Sequence, residues 1–380
     1  MRPLLIHNEE LERYSFGKRH PMGPDRVRLA MQLAEHFGLL QMFEIVEPPP
    51  TSDALLRLIH TPEYLAALHS GDAAPEFGIG TADNPLVPQL PAVASRIVAG
   101  TVAAASAVWS GRTKRAVNIS GGLHHAQAAE LSGFCMLNDA AVAIKWLLNH
   151  GARRIAYIDL DAHHGDGVER LFWDDPRVVT MSVHESGLYL FPGTGHAGDI
   201  GGPNAYGTAV NVALETNVSD VDWLRNVHSI IPAILQRFRP EIIISQHGAD
   251  PHREDPLTHL RISADALTVA YRSLAGWADR FAFGRWVALG GGGYQRDSVA
   301  RVWTQVLAAV ADVELNPAAR MPDGWESTVG CRASKTLGDM DAVAGLVEFD
   351  PGHVMTHSAD PSMIATSRAV FPYWGLVPFH

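Results

Sequence analysis

The sequence predicts an α/β protein whose parallel strands carry helices on both faces. Short β-branched runs recur at 116–120 (AVNIS), 154–161 (RIAYIDLD), 178–184 (VVTMSVH), 241–245 (EIIIS) and 286–291 (WVALGG). Between them, 139–151, 221–238, 263–281 and 298–313 place apolar residues at three- and four-residue spacing, the period of an amphipathic helix. Strands that alternate with helices pair in parallel, and the helices then cover both faces of the sheet. A polar cluster follows each run: SGGLHH, DAHHGD, HESGLYLFPGTG, QHGAD and GGGGY. In a parallel sheet the carboxyl ends of the strands open on one edge, where ligands bind, so these five clusters point to one site.

The helix starts carry their own signals, Asn138–Asp139, Ser263 and Asp297–Ser298. Trp109, Trp146, Trp223, Trp277 and Trp303 fall in helical segments and are expected in the core. At 380 residues the chain is long enough for one large domain or two. Hydrophobic residues make up 47% and charged residues 19%, values of a globular rather than a disordered chain. A net charge of −11 with no basic run argues against a nucleic-acid surface. Cys135 and Cys331 are the only cysteines, which fits a reducing compartment. The start, MRPLLIHNEELERY, has charges where a signal peptide needs apolar residues. No window is expected to reach the roughly 18 apolar residues of a membrane span. The composition therefore predicts a cytoplasmic protein without a membrane or nucleic-acid partner.

Asp161 and His163 are two apart, so on an extended strand end they point to the same side. A carboxylate and an imidazole so placed suit zinc or a similar divalent ion, although an isolated DxH is more often a solvated strand end. Asp250, at the end of QHGAD, is the natural third ligand. Two Asp and one His leave a coordination position open, as in catalytic sites. His124 and His125 follow a Gly-Gly turn and need orienting partners, for which Asp159 and Asp166 serve; an HH pair standing alone would be surface polarity. His164 is given no chemistry. GGGGY (290–294) reads equally as a phosphate loop, as a flexible loop delivering Tyr294 as a hydrogen-bond donor, or as a structural turn. The phosphate loop lacks the Lys-Ser/Thr that it needs. GFC (133–135) and GLYLFPGTG (187–195) either wall an apolar slot or are ordinary turns.

Taken together, RHPMGPDRVRL (19–29), IHTPEYL, NISGGLHHA, SGFCMLND, YIDLDAHHGDGVE, FPGTG, GADPHREDPL and GGGGY resemble the histone-deacetylase-like family of the arginase/deacetylase fold. The likeness runs from about residue 5 to 312. QHGAD and DPLTHL are most similar to the prokaryotic acetoin-utilization-type members. The resemblance implies a single three-layer domain with a central, mostly parallel sheet of about eight strands. The tail from 313 to 380 is expected to pack back on that domain.

The resemblance also implies a metal-dependent deacetylase that removes acetyl groups from protein lysines. Asp161, His163 and Asp250 would hold zinc, or ferrous iron. His125, oriented by Asp166, would be general base and then general acid; His124, paired with Asp159, would be its electrostatic partner. Tyr294 would donate to the oxyanion. Gly133, Phe134 and Phe191 would line the tunnel, Leu257 would stand near its mouth, and Asp83 would grip substrate backbone. Arg26 would line an interior channel that releases acetate. A structural potassium site would involve Asp159, Asp161, His163, Ser182 and Val183. Leu123 stands where many eukaryotic members have Trp. The implied partner is an acetylated protein such as an acyl-CoA synthetase, the alternative a small acetylated amine such as an acetylpolyamine. A binuclear manganese ureohydrolase shares the fold, but Gly165 and His252 stand where its further carboxylates belong. A catalytically inactive scaffold is the alternative of another class.

Overall fold

The computed structural model of the chain describes residues 1–23, 25–346, 349 and 359–380. Pro24 of the 19–29 stretch, and 347–348 and 350–358 of the tail, lie outside the described residues. Eight strands form one sheet: β1 Leu4–Ile6, β2 Glu44–Val46, β3 Arg115–Asn118, β4 Ile155–Asp159, β5 Val178–Glu185, β6 Ala209–Leu214, β7 Ile242–Gln246 and β8 Trp286–Leu289. Their order is β2-β1-β3-β8-β7-β4-β5-β6, and every pair is parallel. The five expected strands are β3, β4, β5, β7 and β8. β1 and β2 have three residues each, too few to show a period, and β6 follows a glycine-rich turn that hides it.

Alternate residues of each strand feed different cores, as the two-residue period requires. Ile155 and Tyr157 of β4 face one side with Ile242, Ile244, Val287 and Leu289. Ala156 and Ile158 face the other with Ile243, Trp286 and Ala288. The helices are α1 Asp25–His36, α2 Asp53–Leu56, α3 Pro62–Ser70, α4 Leu90–Trp109, α5 Asp139–Asn149, α6 Asp166–Leu171, α7 Asp220–Phe238, α8 Ala264–Phe281, α9 Arg296–Ala311, α10 Trp325–Val329, α11 Met340–Leu346 and α12 Pro361–Val370. α1, α7, α8 and α9 cover one face, and α3, α4 and α5 the other. Trp223 and Trp303 are fully buried, while Trp109, Trp146 and Trp277 are half-buried at the margins of these cores.

Asn138 and Ser263 cap their helices through side-chain acceptors, as their types predict. The third start signal is shifted. Gln295 caps α9 by accepting from Ser298 N, which frees Asp297 to bind Arg301 and Trp325 instead. The absence of a span-like window is also corrected: α4 reaches a mean hydropathy of 1.4 over a window long enough to cross a membrane. Two thirds of that window is buried, packed against β1, β3 and α5, which is the place of a core helix.

Beyond α9 the chain runs back over the domain. Met321, Trp325, Val329 and Leu337 pack on Leu29, Leu33 and Ala300. α12 lies along β6, the end strand of the sheet, and Ser362 and Thr366 donate their hydroxyls to Ala213 O (2.8 Å) and Asn211 O (2.7 Å). Trp374 donates to Gly207 O at 2.8 Å and stands edge-on to Phe238.

The topology fixes where a site forms. From β4 the chain steps outward to β5 and β6, then returns to β7 on the other side of β4. Such a reversal opens a crevice at the carboxyl ends of the two strands. Asp159 and Gln246, the last residues of β4 and β7, lie side by side in register.

Candidate active site

Both histidines are carried on the turn after β3, and α5 holds that turn. The buried Asp139 carboxylate accepts from Gly122 N and Leu123 N, and Asn138 Nδ2 donates to the carbonyls of His124 (3.2 Å) and Ala126 (2.9 Å). Gly122 is required here: its φ is +93°, and a side chain would strike the backbone of Gly291. Thus held, His124 Nδ1 lies 2.8 Å from Asp159 Oδ2 and His125 Nδ1 lies 2.6 Å from Asp166 Oδ1. The two Nε2 atoms point at one spot, 3.0 Å apart.

Their protonation differs. Burial works against charge on His124, but Asp159 and Asp161 overcome it and push it up to about 9. Burial also dominates at His125, and with the charge of His124 it brings the group down to about 4 despite Asp166. At neutral pH one ring is an imidazolium and the other a free base.

β4 ends at Asp159, so Asp161 and His163 sit in the loop beyond it rather than on the strand end. Leu160 N still donates to Gln246 O, so the two-residue spacing keeps its effect. His163 Nδ1 lies 3.1 Å from Asp161 Oδ1 and 2.9 Å from Asp250 Oδ2, and the three donor atoms all fall within 4.8 Å of one another. Asp250 Oδ1 accepts from Ala162 N, and Asp161 Oδ2 accepts from Gly292 N at 2.7 Å, so three loops interlock around the group. Side chains on Gly248 or Gly292 would strike these carboxylates, which makes the glycine run a close wall around them rather than a phosphate loop. Two buried carboxylates this close are costly without a cation. Burial and the Asp161 charge push Asp250 up to about 7. A buried Asp2His set of this kind fits a divalent ion such as zinc.

Tyr294 reaches the same place from the β8 loop. Its N donates to Asp255 Oδ2 at 2.7 Å, its ring lies edge-on to Phe134, and the Arg26 guanidinium is 5.4 Å from the ring centroid. Burial, with Asp250, holds the phenol well above its usual range, so the hydroxyl keeps its proton and can donate.

A cavity of about 510 Å³ leads in from solvent past Gly133, Phe134, Phe191, Leu257 and Tyr294 to His125 and His163. Gly133 has φ +51°, and a side chain there would strike the His125 ring. Phe134 keeps φ +65° because Asn84 Oδ1 accepts its N–H and Tyr14 donates to its carbonyl. Asp83 is exposed at the cavity wall, and His20 Nε2 lies 2.9 Å from its backbone oxygen. Arg26 faces a separate cavity with Leu123, Tyr14 and Trp303, of about 20 Å³. That is room for a single water. Its guanidinium is held by Gly291 O and Gly293 O. Ser182 pairs with Asp159 in register, and Val183 follows it on β5. Glu185 N, further along β5, donates to Ala162 O, so the loop that carries Asp161 and His163 runs beside that strand. His164 lies apart, with Nδ1 2.9 Å from Thr194 Oγ1 and Nε2 3.2 Å from Glu169.

Several supporting groups escape the sequence reading. Asn138 and Asp139 look like a helix start but also hold the histidine turn. Gln127 donates to Asp166 Oδ2 at 2.9 Å, and Tyr157 donates to Asp159 Oδ2 at 2.8 Å. Asp255 accepts from both Tyr294 N and Leu257 N, joining the tyrosine to the cavity mouth. The Asp-Pro-Leu run at 255–257, an Asx turn, was its signal.

The family model of the histone deacetylase domain matches residues 20–310. The chain belongs to the histone deacetylase family. It is 36% identical over 330 residues to the acetoin utilization protein AcuC of Bacillus subtilis (strain 168), covering 85% of each chain. It is 34% identical over 315 residues to AcuC of Staphylococcus aureus (strain MSSA476), covering 81% of each. Among solved structures, a histone deacetylase homologue from Aquifex aeolicus superposes with a TM-score of 0.80 at 28% identity, over 89% of this chain and 95% of that one. As a member of this family it is a deacetylase, a hydrolase.

Proposed function

We propose that the chain removes acetyl groups from lysine side chains of proteins with zinc as its metal, ferrous iron being the second ion that the donor set accepts. The observation that carries this reading is that one cavity is lined by His163 of the Asp161–His163–Asp250 group, by His125 of the histidine pair and by Tyr294. When bound, zinc supplies Lewis acidity toward the amide carbonyl and lowers the pKa of water. His125 is the base: its Nε2, paired at 3.0 Å with His124 Nε2, would turn to the attacking water and take its proton while Nδ1–H stays bonded to Asp166. The same Nε2 returns that proton to the lysine nitrogen as the C–N bond breaks. His124 stays cationic between Asp159 and the reacting atoms and lowers the energy of negative charge there. Tyr294 O–H donates to the carbonyl oxygen as charge develops on it.

Gly133, Phe134 and Phe191 would hold the apolar lysine stem, with Leu257 at the mouth. The exposed Leu188, Tyr189 and Phe191 on one loop offer an apolar rim that favours a polypeptide, such as an acetylated acyl-CoA synthetase, over a free amine. Asp83 would accept from the substrate's backbone N–H groups. Arg26 would draw acetate only along a path that opens wider than the single-water cavity beside it, and a potassium ion would sit at Asp159, Asp161, His163, Ser182 and Val183.

The test is acetate release from an acetyl-lysine peptide and an acetylpolyamine, side by side, with the zinc or iron form. Faster turnover of the peptide is expected, and Tyr294→Phe should lower kcat by about 10²–10³. Preference for the polyamine would move the reading to small amines. No turnover of either substrate, with metal bound, would sink it.

A further inference from the structure

The family match ends at residue 310, yet one carboxylate from beyond it is buried behind the metal group. Asp339 is 7% exposed, and its Oδ2 lies 2.9 Å from both His252 Nε2 and Ala264 N. Its Oδ1 accepts from Arg301 Nη1 at 2.9 Å. Arg301 is itself buried and also donates to Asp297 Oδ2 and Leu337 O. Arg253 closes the set with an exposed bidentate pair to Asp341.

His252 is fully buried and stands two residues after Asp250. Its Nδ1 accepts from Glu254 N, which leaves the proton on Nε2, where Asp339 accepts it. The His252 backbone then ties the loop together: its N donates to Ala249 O, and its O accepts from Asp255 N. Asp255 in turn accepts from Tyr294 N and Leu257 N. Connected hydrogen bonds thus run from the C-terminal segment through the 249–257 loop to the backbone of Tyr294 and to Leu257 at the cavity mouth, and the metal residue Asp250 lies within the loop they brace.

We propose that Asp339 is a positioning residue for the deacetylase site, holding the 249–257 loop through His252 so that Asp250 and Tyr294 keep their places. This rests on the metal reading of Asp250 given above. Groups that orient a metal ligand typically matter about 10–100-fold in metal affinity or activity.

Asp339→Asn keeps the shape and one acceptor but puts an amide where His252 and Ala264 both donate. Asp297→Asn is the comparison, because it disturbs the same buried Arg301 without touching His252. Three quantities are read in the full-length protein: hydrogen exchange of residues 249–257 without metal, zinc retention against a chelator, and the separate kcat and KM. Asp339→Asn and His252→Gln are each expected to speed loop exchange at least about tenfold, and to weaken zinc retention and kcat by about 10–100-fold with little change in KM. The double variant should be no worse than either single one, since both cut one connection. Asp297→Asn should lower the melting temperature and leave loop exchange as in wild type. The proposal is overturned if Asp339→Asn lowers only the melting temperature, or if the two variants add. Should Asp339→Asn fail to fold, His252→Gln decides by the same readouts. A wild type that binds no zinc would sink the metal reading alone, while loop exchange would still decide the positioning role.

Discussion

His124 and His125 are neighbours in sequence, both buried and each paired with an aspartate, yet their surroundings push their pKa values in opposite directions. His124 meets Asp159, a fully buried carboxylate at the end of β4, and has Asp161 about 4.0 Å from its Nε2. His125 meets Asp166, a partly accessible residue that opens α6, and faces the cation of His124. Burial opposes charge on both rings. The number of carboxylates nearby decides which ring keeps a proton. A dyad of identical residues becomes one fixed cation and one base by placement alone.

The strongest way to break the contrast is to remove each ring. His125→Ala should lower kcat by about 10²–10⁴, the usual range for loss of a general base, and His124→Ala should cost less because no proton passes through it. Single-turnover rates on an acetyl-lysine peptide measure both, and equal losses would refute the division of roles.

A finer test exchanges the partners. Asp166→Asn removes a charge that raises His125, so the acid limb of kcat/KM should move to lower pH, and kcat should fall about 10–100-fold as the ring loses its orienting acceptor. Asp159→Asn removes the charge that keeps His124 protonated; a neutral His124 no longer depresses His125, and the acid limb should move to higher pH. Limbs that move the same way would mean that the two rings do not interact as described.

The smallest effect concerns burial alone. Among the described residues, His60, His228 and His247 meet no carboxylate, and burial takes each down to about 4. Their folded values lie below the unfolded 6.5, so the unfolded chain takes up protons that the native state refuses. Stability is therefore full above about pH 6.5 and falls as pH drops toward 4. Each histidine contributes a slope of about 1.4 kcal/mol per pH unit. His228→Gln should flatten the acid side of a melting-temperature profile by one histidine's share, and an unchanged slope would count against it.

Much of this was legible in the sequence because it rests on local spacing. Asp161 and His163 converge through a two-residue step, and the histidine turn announces itself through its glycines. The strand-then-polar-cluster pattern gave the common edge. What stayed hidden depends on partners distant in sequence. Asp255 touches Tyr294 across 39 positions, and Asp339 reaches His252 across 87, with no periodicity to reveal either. β1 and β2 escaped notice for a different reason, since three residues carry no pattern.

α12 has a consequence for assembly. β6 ends the sheet, and a bare end strand is a template onto which another chain can add. Ser362 and Thr366, one helical turn apart, occupy carbonyls two residues apart on that strand. A helix thereby stands where a ninth strand would go, using two hydroxyls in place of a ladder of amides. The sheet is finished from within its own chain, and its growth into a shared sheet between molecules is blocked at that edge.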